Sequence, residues 1–160
     1  MDAKHLLISI LLSILPISEL RGGIPYAFFN GFNLAYLAPL CIFFNALVAP
    51  ICYTFLATFH KIFYAHWPWY ISFFDHFIAK AQHKIAPKVE KYGYWGIMLF
   101  VAIPLPVTGA WTGTLGSWIL GLDKRKTMMA VFGGVIVSGL IVTSLVALGV
   151  GLDSVFIKKI

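Results

Sequence analysis

Charge is scarce in this chain. Of its 160 residues only 11% are Asp, Glu, Lys or Arg, against about 25% in a typical soluble domain. Acids are scarcer still, six against twelve bases. Such a chain has too little aqueous surface for a separate soluble module. Cysteine is nearly absent. Cys41 and Cys52 fall in one predicted helix, about 16 Å apart along its axis, too far for a disulfide. They read as small apolar packers. Metal chemistry lacks its ligands: His60, His66, His76 and His83 form no tight pair at metal-ligand spacing. No nucleophile–base pair appears either, so an enzyme is not expected. No cofactor is implied beyond a coupling H+ or Na+. The formal charge of +6 is not laid out as a groove with interleaved aromatics, which argues against nucleic acid. The bases sit in short segments between apolar runs, where they orient a membrane protein and meet anionic headgroups.

Apolar residues are what the chain does have. They make up 60% of it, with mean hydropathy +0.87. The expectation is an all-α integral membrane protein, one multi-pass domain over residues 1–160. Lys4 and the run from Leu6 to Leu15 have the shape of a signal peptide, but no small-x-small cleavage site follows. The segment is therefore expected in the mature protein.

The rest is organised around the stretch from Leu15 to Pro25, LPISELRGGIP. Pro16 and Pro25 bracket a broken helix, and Gly22 and Gly23 permit backbone angles that other residues avoid. Irregular backbone at membrane depth survives only where protein or a watery cavity covers its polar groups. Glu19 and Arg21 are costly there and mark a functional site by default. Residues 5–15 are a short apolar helix, about half the roughly 20 residues needed to span, and residues 25–30 are a second short limb. Either 5–30 is a re-entrant hairpin with this stretch as its tip, or it is one kinked spanning helix.

Residues 34–60 read as a span containing Pro39, Pro50 and Asn45. Asn45 is either interhelical glue or a ligand to solute or ion. Over 66–92 the apolar positions 70, 73, 74, 77, 78, 81 and 85 form a helical stripe, with Lys80, Lys84 and Lys91 opposite. That pattern predicts an amphipathic helix lying in the interface. Residues 94–121 repeat the first logic: an apolar limb, a break at Pro104 and Pro106, then a Gly-rich limb. Thr108 and Thr112 are the hydroxyls at this break, serving either freed carbonyls or a solute. Gly109 and Gly113 form a small-xxx-small pair. Residues 127–151 are a last span, rich in small residues and expected to pack tightly.

Broken hairpin, span, interfacial helix, broken hairpin, span is an inverted-repeat layout, a pointer to a secondary transporter. Residue identity between the halves is weak. Side assignment stays open: with two re-entrant hairpins, or with four ordinary spans, the basic residues satisfy the positive-inside rule equally.

The residues Glu19 to Pro25 (ELRGGIP), with Ile103 to Gly113 (IPLPVTGAWTG), resemble the prokaryotic small multidrug export protein family over nearly the whole chain. The layout is also similar to the wider DedA/VTT-type superfamily, whose re-entrant hairpins face each other. That resemblance implies a prokaryotic cytoplasmic-membrane carrier coupled to protons or sodium, with a lipid-carrier type of substrate. Glu19 would be the functional acid of the first hairpin. The two arginines of the second hairpin's pattern fall here on Ala102 and Thr108, so Arg21 is left as the deep positive charge.

The function expected is thus an ion-coupled carrier or flippase of an anionic lipid or amphipathic solute. Its polar site would be built from Glu19, Arg21, Gly22, Gly23, Pro25, Asn45, Pro104, Pro106, Thr108 and Thr112. A carboxylate desolvated at membrane depth can exchange a proton near neutral pH, and Arg offers a planar fork to phosphate or carboxylate. The amides of Gly22 and Gly23 would add positive dipole. The bilayer is one partner, and a homodimer is expected. The alternatives are a small exporter binding hydrophobic cations between aromatic walls (Trp111, Trp118, Tyr26, Phe28, Phe29), a passive channel, or a non-transporting scaffold.

Overall fold

The computed structural model describes residues 3–68, 71–72, 75–76, 89, 91–106 and 108–149, with 61–65 described by backbone alone. Among the described residues every regular element is a helix: α1 (Ala3–Ile14), α2 (Glu19–Phe29), α3 (Leu34–Ala46), α4 (Val48–His66), α5 (Tyr94–Ala102), α6 (Ala110–Ile119) and α7 (Lys124–Ala147). The interfacial helix expected over 66–92 lies largely outside the described residues.

Four helices are short. At 1.5 Å per residue α1, α2, α5 and α6 are about 18, 16, 14 and 15 Å long, against about 30 Å of bilayer hydrocarbon. They form two antiparallel pairs. His5 Nδ1, in α1's first turn, lies 2.8 Å from the Tyr26 hydroxyl late in α2. Tyr94, opening α5, accepts at its hydroxyl from the Asp123 amide just beyond α6 (3.0 Å).

The first break lies at residues 15–18, and α2 already begins at Glu19. This corrects the expectation that Glu19 to Gly23 form an irregular tip. Gly23 is helical because it must be small there: a Cβ on it would collide with the Ser13 hydroxyl and press on the Ser9 carbonyl. Pro16 cannot continue α1, and side chains satisfy the freed carbonyls. Ser18 Oγ donates to the Leu12 carbonyl (2.5 Å), and Arg21 Nη2 donates to that of Ile17 (2.6 Å). At the second break, residues 103–109, the Thr108 hydroxyl does the same work, 2.7 Å from the Ile103 carbonyl and 2.8 Å from that of Leu105.

The two pairs end alike. After α2, Gly31 (φ +77°) bonds back to the Phe28 carbonyl, Phe32 bonds to that of Ala27, and Asn33 caps α3. After α6, Gly121 (φ +66°) bonds back to Trp118, Leu122 to Ser117, and Asp123 caps α7. Both are glycine-terminated helix ends followed at once by a side-chain N-cap. A shared Gly-apolar-Asn/Asp signature thus closes each pair, where overall residue identity is weak.

Among the described residues two segments are long and apolar enough to cross a membrane, Leu34–His60 and Lys124–Ala147. The first is interrupted at Leu47, between α3 and α4. Pro50 has no N–H to give the Ala46 carbonyl, so one rung of the helix is lost there. α7 is the central helix and packs against α2, α3, α5 and α6. Its small residues admit its neighbours, as the sequence predicts. A Cβ on Gly134 would press on the Met98 carbonyl and on Val101, and one on Gly139 would collide with Ile42. Buried Ile24, Cys41, Val48, Ile97, Val131 and Val142 form the core around it.

Candidate functional site

The tips of the two helix pairs meet, and Glu19 is where they meet. It opens α2 with φ +48°, the one non-glycine positive φ among the described residues. Such a conformation is uncommon and costs free energy unless its surroundings impose it. Only 8% of Glu19 is exposed. Its Oε1 lies 3.5 Å from the Trp111 amide, and the Ala110 amide also faces the carboxylate. These are the first amides of α6. Unpaired N–H groups and the helix dipole both favour negative charge at such an end. Glu19 therefore caps a helix that begins 91 positions later in the chain.

Gly109 makes the approach possible. Any Cβ there would fall on the Glu19 carboxylate, and its φ of +136° is one that side chains rarely adopt. Trp111 then ties the contact a second time, its indole N–H donating to the carbonyl of Ile14, the last residue of α1 (2.6 Å). One tryptophan thus bridges from its backbone to α2 and from its side chain to α1.

Beside this contact is a cavity of about 10 Å³ lined in part by Glu19, Arg21, Pro104, Thr108, Gly109 and Ser138. That is about the space one water needs. Arg21 spends Nη2 and Nε on the carbonyls of Ile17 and Ser18, while its Nη1 is buried and unpartnered. Glu19 and Arg21 make no ion pair: each is held by backbone instead. The site joins an anionic acceptor, an unused cationic donor and two hydroxyl-bearing residues, with Glu19 buried and Arg21 and Thr108 half-buried.

A sequence profile of the family described as "Putative small multi-drug export protein" matches residues 19–141. The chain belongs to this family. That description gives the small multidrug export family a transport role. Its match opens at Glu19, just past the first break, and closes within α7, taking in the second break and all of the tip contact but Ile14. No curated protein and no solved structure matches the chain.

The family match leaves the roles of single residues to the geometry. Glu19, Arg21, Pro104 and Thr108 line one cavity. Gly22 and Gly23 do not offer free amides, because Gly22 N–H bonds to the Ser18 carbonyl (3.2 Å) and Gly23 lies inside α2. The positive helix end at this site is that of α6. Pro25 is buried within α2, and Pro106 is exposed. Thr112 is half-buried one turn into α6. Asn45 is glue: its Nδ2 donates to the Ser13 carbonyl (2.7 Å), joining α3 to α1. The aromatic residues do not form one wall. Trp111 is at the contact, Trp118 stacks edge-on against His60, Tyr26 meets His5, and Phe28 and Phe29 are exposed. Sequence reasoning missed Ser138 and the indole bond of Trp111. A tryptophan inside a broken apolar segment needs a partner for its N–H, which was a usable signal. Ser138 in a small-residue-rich helix looks like any packing serine.

Proposed function

We propose that this protein is a proton-coupled alternating-access carrier of amphipathic solutes, with Glu19 as the coupling group. The observation that carries the reading is the buried Glu19 carboxylate at the junction of both tips, set on the N-terminal amides of α6. A proton on Glu19 removes the charge that the α6 dipole holds. The tips then separate more easily, and Gly109 supplies the backbone freedom for that movement. Solute reaching the opened site would meet Glu19 and the free Nη1 of Arg21.

Re-entrant hairpins entering from opposite membrane faces suit this mechanism. Three observations support them. The four limbs are too short to span. The open end of the second pair lies at the start of α7, through Tyr94, Asp123 and Lys126. The open end of the first leads to α3, which runs opposite to α7: Ile42 meets Gly139, and Tyr53 meets Lys124. Leu34 therefore lies towards the far end of α7. The matching glycine-terminated ends after α2 and α6 add a repeat at the level of local structure.

Arg21 favours solutes with an anionic group, an anionic lipid among them, over the hydrophobic cations associated with multidrug export. The test is flux into proteoliposomes under an imposed pH gradient, using an anionic amphiphile and a hydrophobic cation in parallel. Glu19→Gln keeps the shape and removes the exchangeable charge. The expected outcome is loss of gradient-driven accumulation with downhill exchange retained. Accumulation at wild-type rates in a folded Glu19→Gln protein would defeat the proposal.

A further inference from the structure

A second and much larger cavity, of about 320 Å³, opens between the start of α5 and the start of α7. It is separate from the tip contact. Tyr94, Trp95, Met98, Met129 and Ala130 form its walls, and Lys126 is its one charged lining residue among those described. Trp95 and Met129 are each at least 70% exposed, an apolar surface that a soluble ligand would not need. Lys126 Nζ stands 5.7 Å from the centre of the Tyr94 ring, and both residues line the cavity. The wall facing α7 can adapt, because Gly133 leaves room for the flexible thioether of Met98.

The chemistry selects the occupant. Lys126 opens the candidate membrane span Lys124–Ala147, so the cavity sits where hydrocarbon gives way to headgroups. Aromatic side chains are favoured at that depth, and lysine there attracts anionic lipid. A hydrophobic cation would be repelled by Lys126 and its neighbours Lys124 and Arg125. The nearby acid Asp123 is engaged in accepting from the Lys126 amide (2.9 Å). That bond also occupies a first-turn amide of α7, and the Thr127 amide bonds to the Asp123 carbonyl, so the Lys126 ammonium is the group assigned to the ligand. We infer that this cavity binds an anionic phospholipid of the surrounding bilayer, with its phosphate on Lys126 and an acyl chain along Trp95, Met98 and Met129.

Native mass spectrometry of the full chain in detergent tests this, with phosphatidylglycerol and phosphatidylcholine of identical chains offered together. The expected result is one phosphatidylglycerol retained in preference to phosphatidylcholine, a preference that falls by about fivefold in Lys126→Gln, as for loss of one lysine near a headgroup. Lys124→Gln, whose ammonium lies over Tyr53 instead, should keep the preference. Met129→Trp fills the cavity without changing charge and should abolish retention. Equal losses in Lys124→Gln and Lys126→Gln would reduce the effect to diffuse surface charge and overturn the site. Equal retention of both lipids, or displacement of phosphatidylglycerol by tetraphenylphosphonium, would overturn it as well.

Discussion

Replacing Gly109 by alanine puts a methyl group on the Glu19 carboxylate. Two separable costs follow. The first is local: φ +136° lies in a region essentially reserved for glycine, and alanine there costs about 1–3 kcal/mol. The second is the contact: the carboxylate must swing off the amides of Ala110 and Trp111, giving up charge-assisted hydrogen bonds worth about 1.5–3 kcal/mol. Gly109→Ala should therefore destabilise the protein by roughly 3–6 kcal/mol on these figures. The assay is reversible unfolding by SDS titration in mixed micelles. In a Glu19→Ala background the second cost is already spent, so Gly109→Ala should then cost only the backbone share. A double-mutant cycle should return a coupling of about 1.5–3 kcal/mol between residues 90 positions apart. Additivity to within about 0.5 kcal/mol would refute the tip contact, whatever the size of the single effects.

Three further substitutions probe the frame that holds this contact. Trp111→Phe keeps the ring and removes the indole N–H, leaving the Ile14 carbonyl unpaired, and should cost about 1–3 kcal/mol in the same titration; an unchanged unfolding midpoint would mean that the second tie is unimportant. Adjacent glycines in α7 should behave differently. Gly134→Ala meets the Met98 carbonyl and Val101 and should lose about 1–3 kcal/mol, whereas Gly133→Ala meets only the mobile end of Met98 and should be near neutral; the reverse order would discredit the α5–α7 packing.

Much of this arrangement is legible in one sequence. Pro16, Pro104 and Pro106 mark the two breaks, because proline removes a helix N–H and clashes with the turn before it, although Pro25 and Pro39 are carried inside helices. The small residues of α7 announce close helix approach, and Gly134 and Gly139 provide it. Glu19 and Arg21 stand out because charge is costly in an apolar run. What misled was the Gly22–Gly23 pair. Glycine signals either unusual backbone angles or the nearness of another chain segment, and the sequence does not say which. Here it is nearness: α2 runs helically through both glycines while α1 lies against them. The interruption at Leu47 was hidden for a related reason, since proline in a membrane helix is compatible with a continuous or a broken ladder of hydrogen bonds. The capping of α6 by Glu19 has no local signature at all. Its partners are set by how two hairpins dock, and nothing within a few residues of either encodes it. By contrast, the Gly-apolar-Asn/Asp repeat after α2 and α6 was open to reading, but it is three residues long and surfaces only when the hydrogen bonds are compared.

The central claim is that two hairpins enter from opposite faces and meet at Glu19. Side-specific labelling tests it most directly. Single cysteines at Asn30 and Lys124, in a background free of Cys41 and Cys52, would be exposed to an impermeant thiol reagent in intact cells. The account predicts that the two positions react from opposite sides of the membrane, because 30 lies at the open end of one hairpin and 124 at the open end of the other. Reaction of both from the same side is what four ordinary spans would give, and it would contradict the account.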